Sequence, residues 1–151
     1  MAVNSTNRSN RRGIDLIVAL LAAVMCGCLA PQNSLMVSVD MRSWQKMSCL
    51  TYENTDTIAL RNINIALRYN DNFKQTKLPL KIAVTTPDAR YFEELVELQL
   101  QHSGKSLMVA TIESVPYRTD VQLNQKGYYT FAFEPQTEVQ GVEAVGIEFT
   151  E

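Results

Sequence analysis

The stretch from Arg61 to Thr85, R-N-I-N-I-A-L-R-Y-N-D-N-F-K-Q-T-K-L-P-L-K-I-A-V-T, constrains the fold most. It holds two runs of alternating residues. In the first, Ile63, Ile65, Leu67 and Tyr69 fall on one face, and Asn62, Asn64, Ala66 and Arg68 on the other. In the second, Leu78, Leu80, Ile82 and Val84 share a face against Pro79, Lys81, Ala83 and Thr85. Successive side chains of a strand point to opposite sides of a sheet, so period two over this length predicts two half-buried strands. Between them Asn70-Asp71-Asn72 supplies turn formers, which fits either a hairpin or a short crossover between sheets.

The same period recurs along the chain. Leu35, Val37 and Val39 alternate with Met36, Ser38 and Asp40. Leu50 to Tyr52 begins a second strand, which Thr57 to Leu60 continues beyond a turn at Asn54-Thr55-Asp56. Tyr91 to Gln101 fits two patterns: Tyr91, Leu95 and Leu98 lie on a helix face, while Val96, Leu98 and Leu100 alternate as in a strand. The strand is preferred for the second half, because His102-Ser103-Gly104 reads as a turn and the neighbouring runs are strands. Leu107 to Glu113 and Val115 to Leu123 follow, with Pro116 directing the latter to a sheet edge. Tyr129, Phe131 and Phe133, then Val145, Ile147 and Phe149 after Gly141, complete the set. About eight short strands and no long helix predict an all-β chain, an antiparallel β-sandwich of jelly-roll or Ig-like type over residues 35–151. The single Trp44 has two readings, a core plug closing one end of the sandwich or a ligand platform.

The first residues have a different character. Arg8, Arg11 and Arg12 precede an apolar run from Ile14 to Met25, interrupted only by Asp15. That run is too short to cross a bilayer, which takes about 20 apolar residues. A basic segment, a short apolar segment and then small residues make a secretory signal peptide. It ends in M-C-G-C, where Met25, Gly27 and Cys28 occupy the −3, −1 and +1 positions of a bacterial lipoprotein signal. A small residue before the cysteine admits the peptidase, and the Cys28 thiol takes the lipid. The expected organisation is a signal peptide over residues 1–27, a lipidated tether over 28–34 and a sandwich over 35–151. The alternative is an ordinary secretory signal cut near Ala30, or an uncleaved anchor. Gly13 and Asp15 stand where a twin-arginine signal wants apolar residues, so Arg11-Arg12 reads as a basic segment only.

Cleavage before Cys28 would remove three arginines and one aspartate and take the net charge from −2 to −4. An acidic chain without a basic cluster argues against nucleic acid as a partner. Cys49 would be the one cysteine left besides Cys28, so no internal disulfide can form in the mature chain. Cys49 beside Leu50 is read as a small buried apolar residue. The acids Glu93, Glu94 and Glu97 are read as a solvated strand face, since no oxygen-ligand loop accompanies them. The one histidine, His102, falls in a turn. No G-x-S-x-G, H-E-x-x-H or paired-carboxylate pattern is present, so no enzyme, cofactor, metal site or small-molecule substrate is expected.

The order of the pieces carries a resemblance. S-W-Q-K is followed by I-A-L-R-Y-N-D-N-F-K-Q-T-K-L-P-L-K-I-A-V, then T-P-D, V-E-L-Q-L, K-G-Y-Y-T-F-A-F and G-V-E-A-V-G-I-E-F. With the lipidation signal before it, this resembles the GldH-type gliding-motility lipoproteins of the Bacteroidetes. The matching positions are Trp44, Arg68, Asn70, Phe73, Leu78, Leu80, Gly127, Tyr129, Phe131, Gly141, Val142, Val145, Gly146 and Ile147. The chain departs from the family at Q-H-S-G-K-S-L-M-V-A, where a Gly/Trp-rich stretch is usual. The resemblance implies a membrane-anchored accessory or assembly component of the gliding and type IX secretion machinery, without an enzymatic site. It implies a location on the envelope membrane, with other envelope proteins as partners. A glycan- or peptide-binding sandwich is the alternative, with Tyr52, Phe73, Tyr91, Phe92 and Tyr128 as candidate aromatics. The loop Asn70 to Lys77 is the candidate partner contact, through Asn70, Phe73 and Lys74. Phe73 has two readings, an exposed anchor or a ring folded back to cap the sandwich.

Overall fold

The two runs of the organising stretch form β3 (Leu60–Tyr69) and β4 (Lys77–Thr85) and do not pair with each other. They lie in different sheets, so the loop between them is a crossover. The computed structural model describes residues 34–101 and 110–150; the signal peptide, Cys28, the tether through residue 33, His102 and the start of the Leu107 run lie outside these. The remaining strands are β1 (Ser34–Ser38), β2 (Ser48–Asn54), β5 (Tyr91–Gln99), β6 (Thr111–Gln122), β7 (Gly127–Pro135) and β8 (Val142–Thr150).

One sheet has the order β1-β8-β3-β6 and the other β2-β7-β4-β5, with every pair antiparallel. The pairs β1–β8, β2–β7, β3–β6 and β4–β5 are those of one long nested hairpin. Rolled up so that successive pairs alternate between two sheets, it gives the jelly roll. The chain is therefore an all-β sandwich, of jelly-roll rather than Ig-like type.

Register follows from the apolar alternation. Leu35, Ile147, Ile65 and Val115 stand in one row across the first sheet, and Leu50, Phe131, Val84 and Phe92 in one row across the second. Ile65, Leu67, Leu80, Ile82, Phe131 and Ile147 are all buried between the sheets. Asn64, Arg68, Lys81 and Glu148 alternate with them on the outer faces. At the centres of both outer faces the residues are small: Ala66, Ala144 and Gly146 on one, Ala83 and Ala132 on the other. Gly146 has no substitute, because a Cβ there would stand 1.9 Å from the Leu35 carbonyl oxygen of β1.

Trp44 is the core plug. It is 2% exposed, exchanges backbone hydrogen bonds with Val139, and donates its indole Nε1–H to the Lys46 carbonyl at 2.9 Å.

Several elements differ from the sequence reading. Asn54 ends β2, and residues 55–59 form the connection, so Leu60 opens β3 rather than closing the second strand. β5 is extended from Tyr91 onward, because pairing with β4 over nine residues outweighs the local helical spacing. Cys49 is exposed rather than buried: Leu50 and Tyr52 take the inward positions of β2, and alternation turns Cys49 outward. Pro116 does lie on an edge strand, β6.

Candidate docking surface

The strand directions give the sandwich two ends. β3, β5 and β7 begin at one end, where the β2–β3, β4–β5 and β6–β7 connections gather. At the other end lie the β1–β2, β3–β4, β5–β6 and β7–β8 connections. The Asn70–Lys77 loop belongs to this second end.

Asn70 organises that loop. Its backbone N–H donates to the Gly141 carbonyl at 2.9 Å, and its side-chain amide donates to Glu143 Oε1 at 3.1 Å. Its side-chain oxygen accepts from the Asn72 N–H, and its carbonyl accepts from the Phe73 N–H. This is the turn chemistry expected of an Asn-led loop. The turn sends Phe73 back into the core, where it is 4% exposed and its ring lies 5.1 Å from that of Tyr69. Of the two readings of Phe73, burial of the ring against Tyr69 is what the cap reading expects. Of the three candidate contact residues, Asn70 shapes the loop, Phe73 fixes it, and Lys74 is the one that is exposed. Lys74 lines an open depression of about 370 Å³ with Asn72, Gln75, Glu138 and Gln140. Its walls are polar and carry both charge signs, so it suits a polar protein surface better than an apolar ligand.

The acidic trio does not share a face. Glu93 and Glu97 point outward from β5, with Glu97 2.9 Å from Lys77 Nζ, a contact that lowers the Glu97 pKa. Glu94 alternates to the inner side. There it accepts a 2.5 Å hydrogen bond from the Tyr117 hydroxyl and pairs with Arg118, bridging the two sheets between edge strands β5 and β6. Burial, then the Glu94 hydrogen bond, raises the Tyr117 pKa well above the usual phenol range. Tyr69 is likewise pushed up to about 12, by burial and by its 2.7 Å hydrogen bond to Glu113. Both phenols therefore stay protonated at neutral pH and serve as donors. Among the described residues no group of three or more His, Cys, Asp and Glu side chains is placed to hold a metal ion.

The candidate aromatics for a glycan platform are dispersed. Tyr52 faces inward, with its ring 4.5 Å from that of Phe149 and its hydroxyl accepting from Arg61. Phe73 is buried. Tyr91, Phe92 and Tyr128 are exposed, at the end opposite the Asn70–Lys77 loop. The sequence reading missed two exposed residues at that same end, Ile58 and Leu60, because they fit the strand alternation expected of their run.

No curated protein matches the chain. The family model described as GldH lipoprotein matches residues 34–149, which spans both sheets from β1 into β8 and includes Trp44, Asn70, Phe73, Gly141 and Gly146. The chain belongs to the GldH lipoprotein family.

Proposed function

We propose that the protein is held in the cell envelope by a lipid on Cys28. In this reading it acts by binding another envelope protein, as an accessory or assembly component of the gliding-motility and type IX secretion machinery. It sits on the periplasmic side of the outer membrane and makes or breaks no bond itself. Family membership supports the lipoprotein and machinery parts of this reading. The observation that carries the binding part is the Asn70–Lys77 loop. It is pinned by Asn70 and Phe73, so it presents Lys74 and Asn72 without a large ordering cost. Glu94 pairs with Tyr117, and Glu97 with Lys77, each across strands.

The test is affinity purification of the full lipidated protein from its native envelope, as parent and as Lys74→Glu. The expected result is loss of a co-purifying envelope protein in the variant with an unchanged melting temperature. Undiminished co-purification with Lys74→Glu would remove this loop as the contact.

A further inference from the structure

We propose that the end of the sandwich formed by the β2–β3, β4–β5 and β6–β7 connections rests on the lipid bilayer, with Ile58 and Leu60 in the interfacial region. The proposal rests on the reading that Cys28 carries a lipid.

The direction of β1 comes first. β1 is antiparallel to β8, and Ser34 pairs with Glu148, two residues before β8 ends at Thr150. β1 therefore begins at the end where β8 finishes, which is the end holding those three connections. Cys28 lies six residues before Ser34, a reach of at most about 20 Å when fully extended. From Ser34 the near end is about two residues away along the strand, roughly 7 Å. The far end begins beyond Val142, six residues from Glu148, which is about 20 Å before any loop is counted. A tether of this length would be exhausted in doubling back along the sandwich. It brings the near end to the bilayer with length to spare.

Among the described residues, five of the nine exposed large apolar side chains lie at that near end, while Met41, Met47 and Ile112 lie toward the other and Leu95 along β5. Ile58 is 81% exposed in the β2–β3 connection, and Leu60, at the start of β3, is 59% exposed. Tyr91 and Phe92 open β5, and Tyr128 lies at the start of β7, all exposed at the same end. Aliphatic and aromatic side chains gathered at one end suit the headgroup boundary, where a tyrosine ring can keep its hydroxyl wet. Among the charges here, Arg61 pairs with Asp56 and Arg90 with Asp88 at 2.8 Å, and Lys126 is exposed in the β6–β7 connection. The contact is led by the apolar side chains, so neutral headgroups suffice for it. The opposite end, with Lys74, Glu138 and Gln140, is left facing away from the membrane.

The experiment uses the full lipidated protein reconstituted into phosphatidylcholine vesicles, with and without bromine on the acyl chains near the headgroup. Three proteins are compared: the parent, whose single Trp44 is buried at the far end, Ile58→Trp, and Lys74→Trp. The expected result is strong quenching of the added fluorescence in Ile58→Trp and none in Lys74→Trp, with all three floating with the vesicles. Flotation with Ile58→Trp as unquenched as Lys74→Trp would overturn the proposal while leaving the anchor intact. Failure of the parent to float would overturn the anchor and the proposal with it.

Discussion

Gly141 lies directly against the backbone of Phe73. A Cβ built on Gly141 would stand 2.2 Å from the Phe73 nitrogen, and Gly141 has φ +84°, in the left-handed region. Two residues far apart in sequence thus share one small volume at the end of the sandwich. The Gly141 carbonyl also accepts from the Asn70 N–H, and its own N–H donates to the Met41 carbonyl at 2.7 Å. The absence of a side chain at Gly141 is what allows the Asn70 turn to close and Phe73 to enter the core.

Gly141→Ala should therefore destabilise the fold on two counts. A positive φ costs an alanine about 1–3 kcal/mol, and the clash is with backbone, which cannot rotate away. The expected outcome is a fall in urea midpoint worth at least about 2 kcal/mol, with an unchanged m-value. A midpoint within error of the parent would show that the loop relaxes without loss.

Phe73→Ala should act as a core mutation and not as an interface mutation. Deleting a buried phenyl ring costs about 3–5 kcal/mol. The melting temperature of Phe73→Ala should fall well below that of Lys74→Glu, which changes only an exposed side chain. If Phe73→Ala melts with the parent and loses only its partner, the ring is an anchor after all.

Much of the fold was legible in the sequence because the sandwich core is built from period two. Ile63 to Tyr69, Leu78 to Val84, Tyr129 to Phe133 and Val145 to Phe149 announced their inner faces directly. What was not legible depends on distant pairing. The Asn70-Asp71-Asn72 turn fits a hairpin and a crossover equally, and the choice is made by β8 and β6 flanking β3. The jelly-roll order has the same origin. Tyr91 and Leu95 looked helical because they are four apart and apolar, yet in β5 both point outward at a sheet edge. At the candidate site, Asn70 and Lys74 could be read from the polar loop. The burial of Phe73 could not, because the space for it is set by Gly141, 68 residues later. Cys49 was misplaced for a local reason: nothing in S-C-L-T-Y fixes which of two alternating faces turns inward until Leu50 and Tyr52 are weighed together.

The last prediction concerns alkaline pH. Tyr69 is 3% exposed, and its phenol is pushed from the ordinary 10.0 to about 12 by burial first and then by the hydrogen bond to Glu113. A group whose pKa is raised on folding stabilises the fold fully below its unfolded pKa. That stabilisation is lost as pH rises through the folded value, because the unfolded chain releases its proton first. The window is therefore about pH 10 to 12. A rise of this size corresponds to at most about 2–3 kcal/mol, reduced by solvent screening where the hydroxyl meets the surface. Tyr117, raised in the same direction by burial and by Glu94, adds to the slope over the alkaline range. Urea midpoints measured from pH 8 to pH 12 should fall steeply above pH 10 in the parent. Tyr69→Phe keeps the ring and removes the ionisation, so its curve should start lower, by the lost hydrogen bond to Glu113, and descend less. Parallel curves for the two proteins would mean that Tyr69 ionises alike in the folded and unfolded chains, and that its hydroxyl is not held by Glu113.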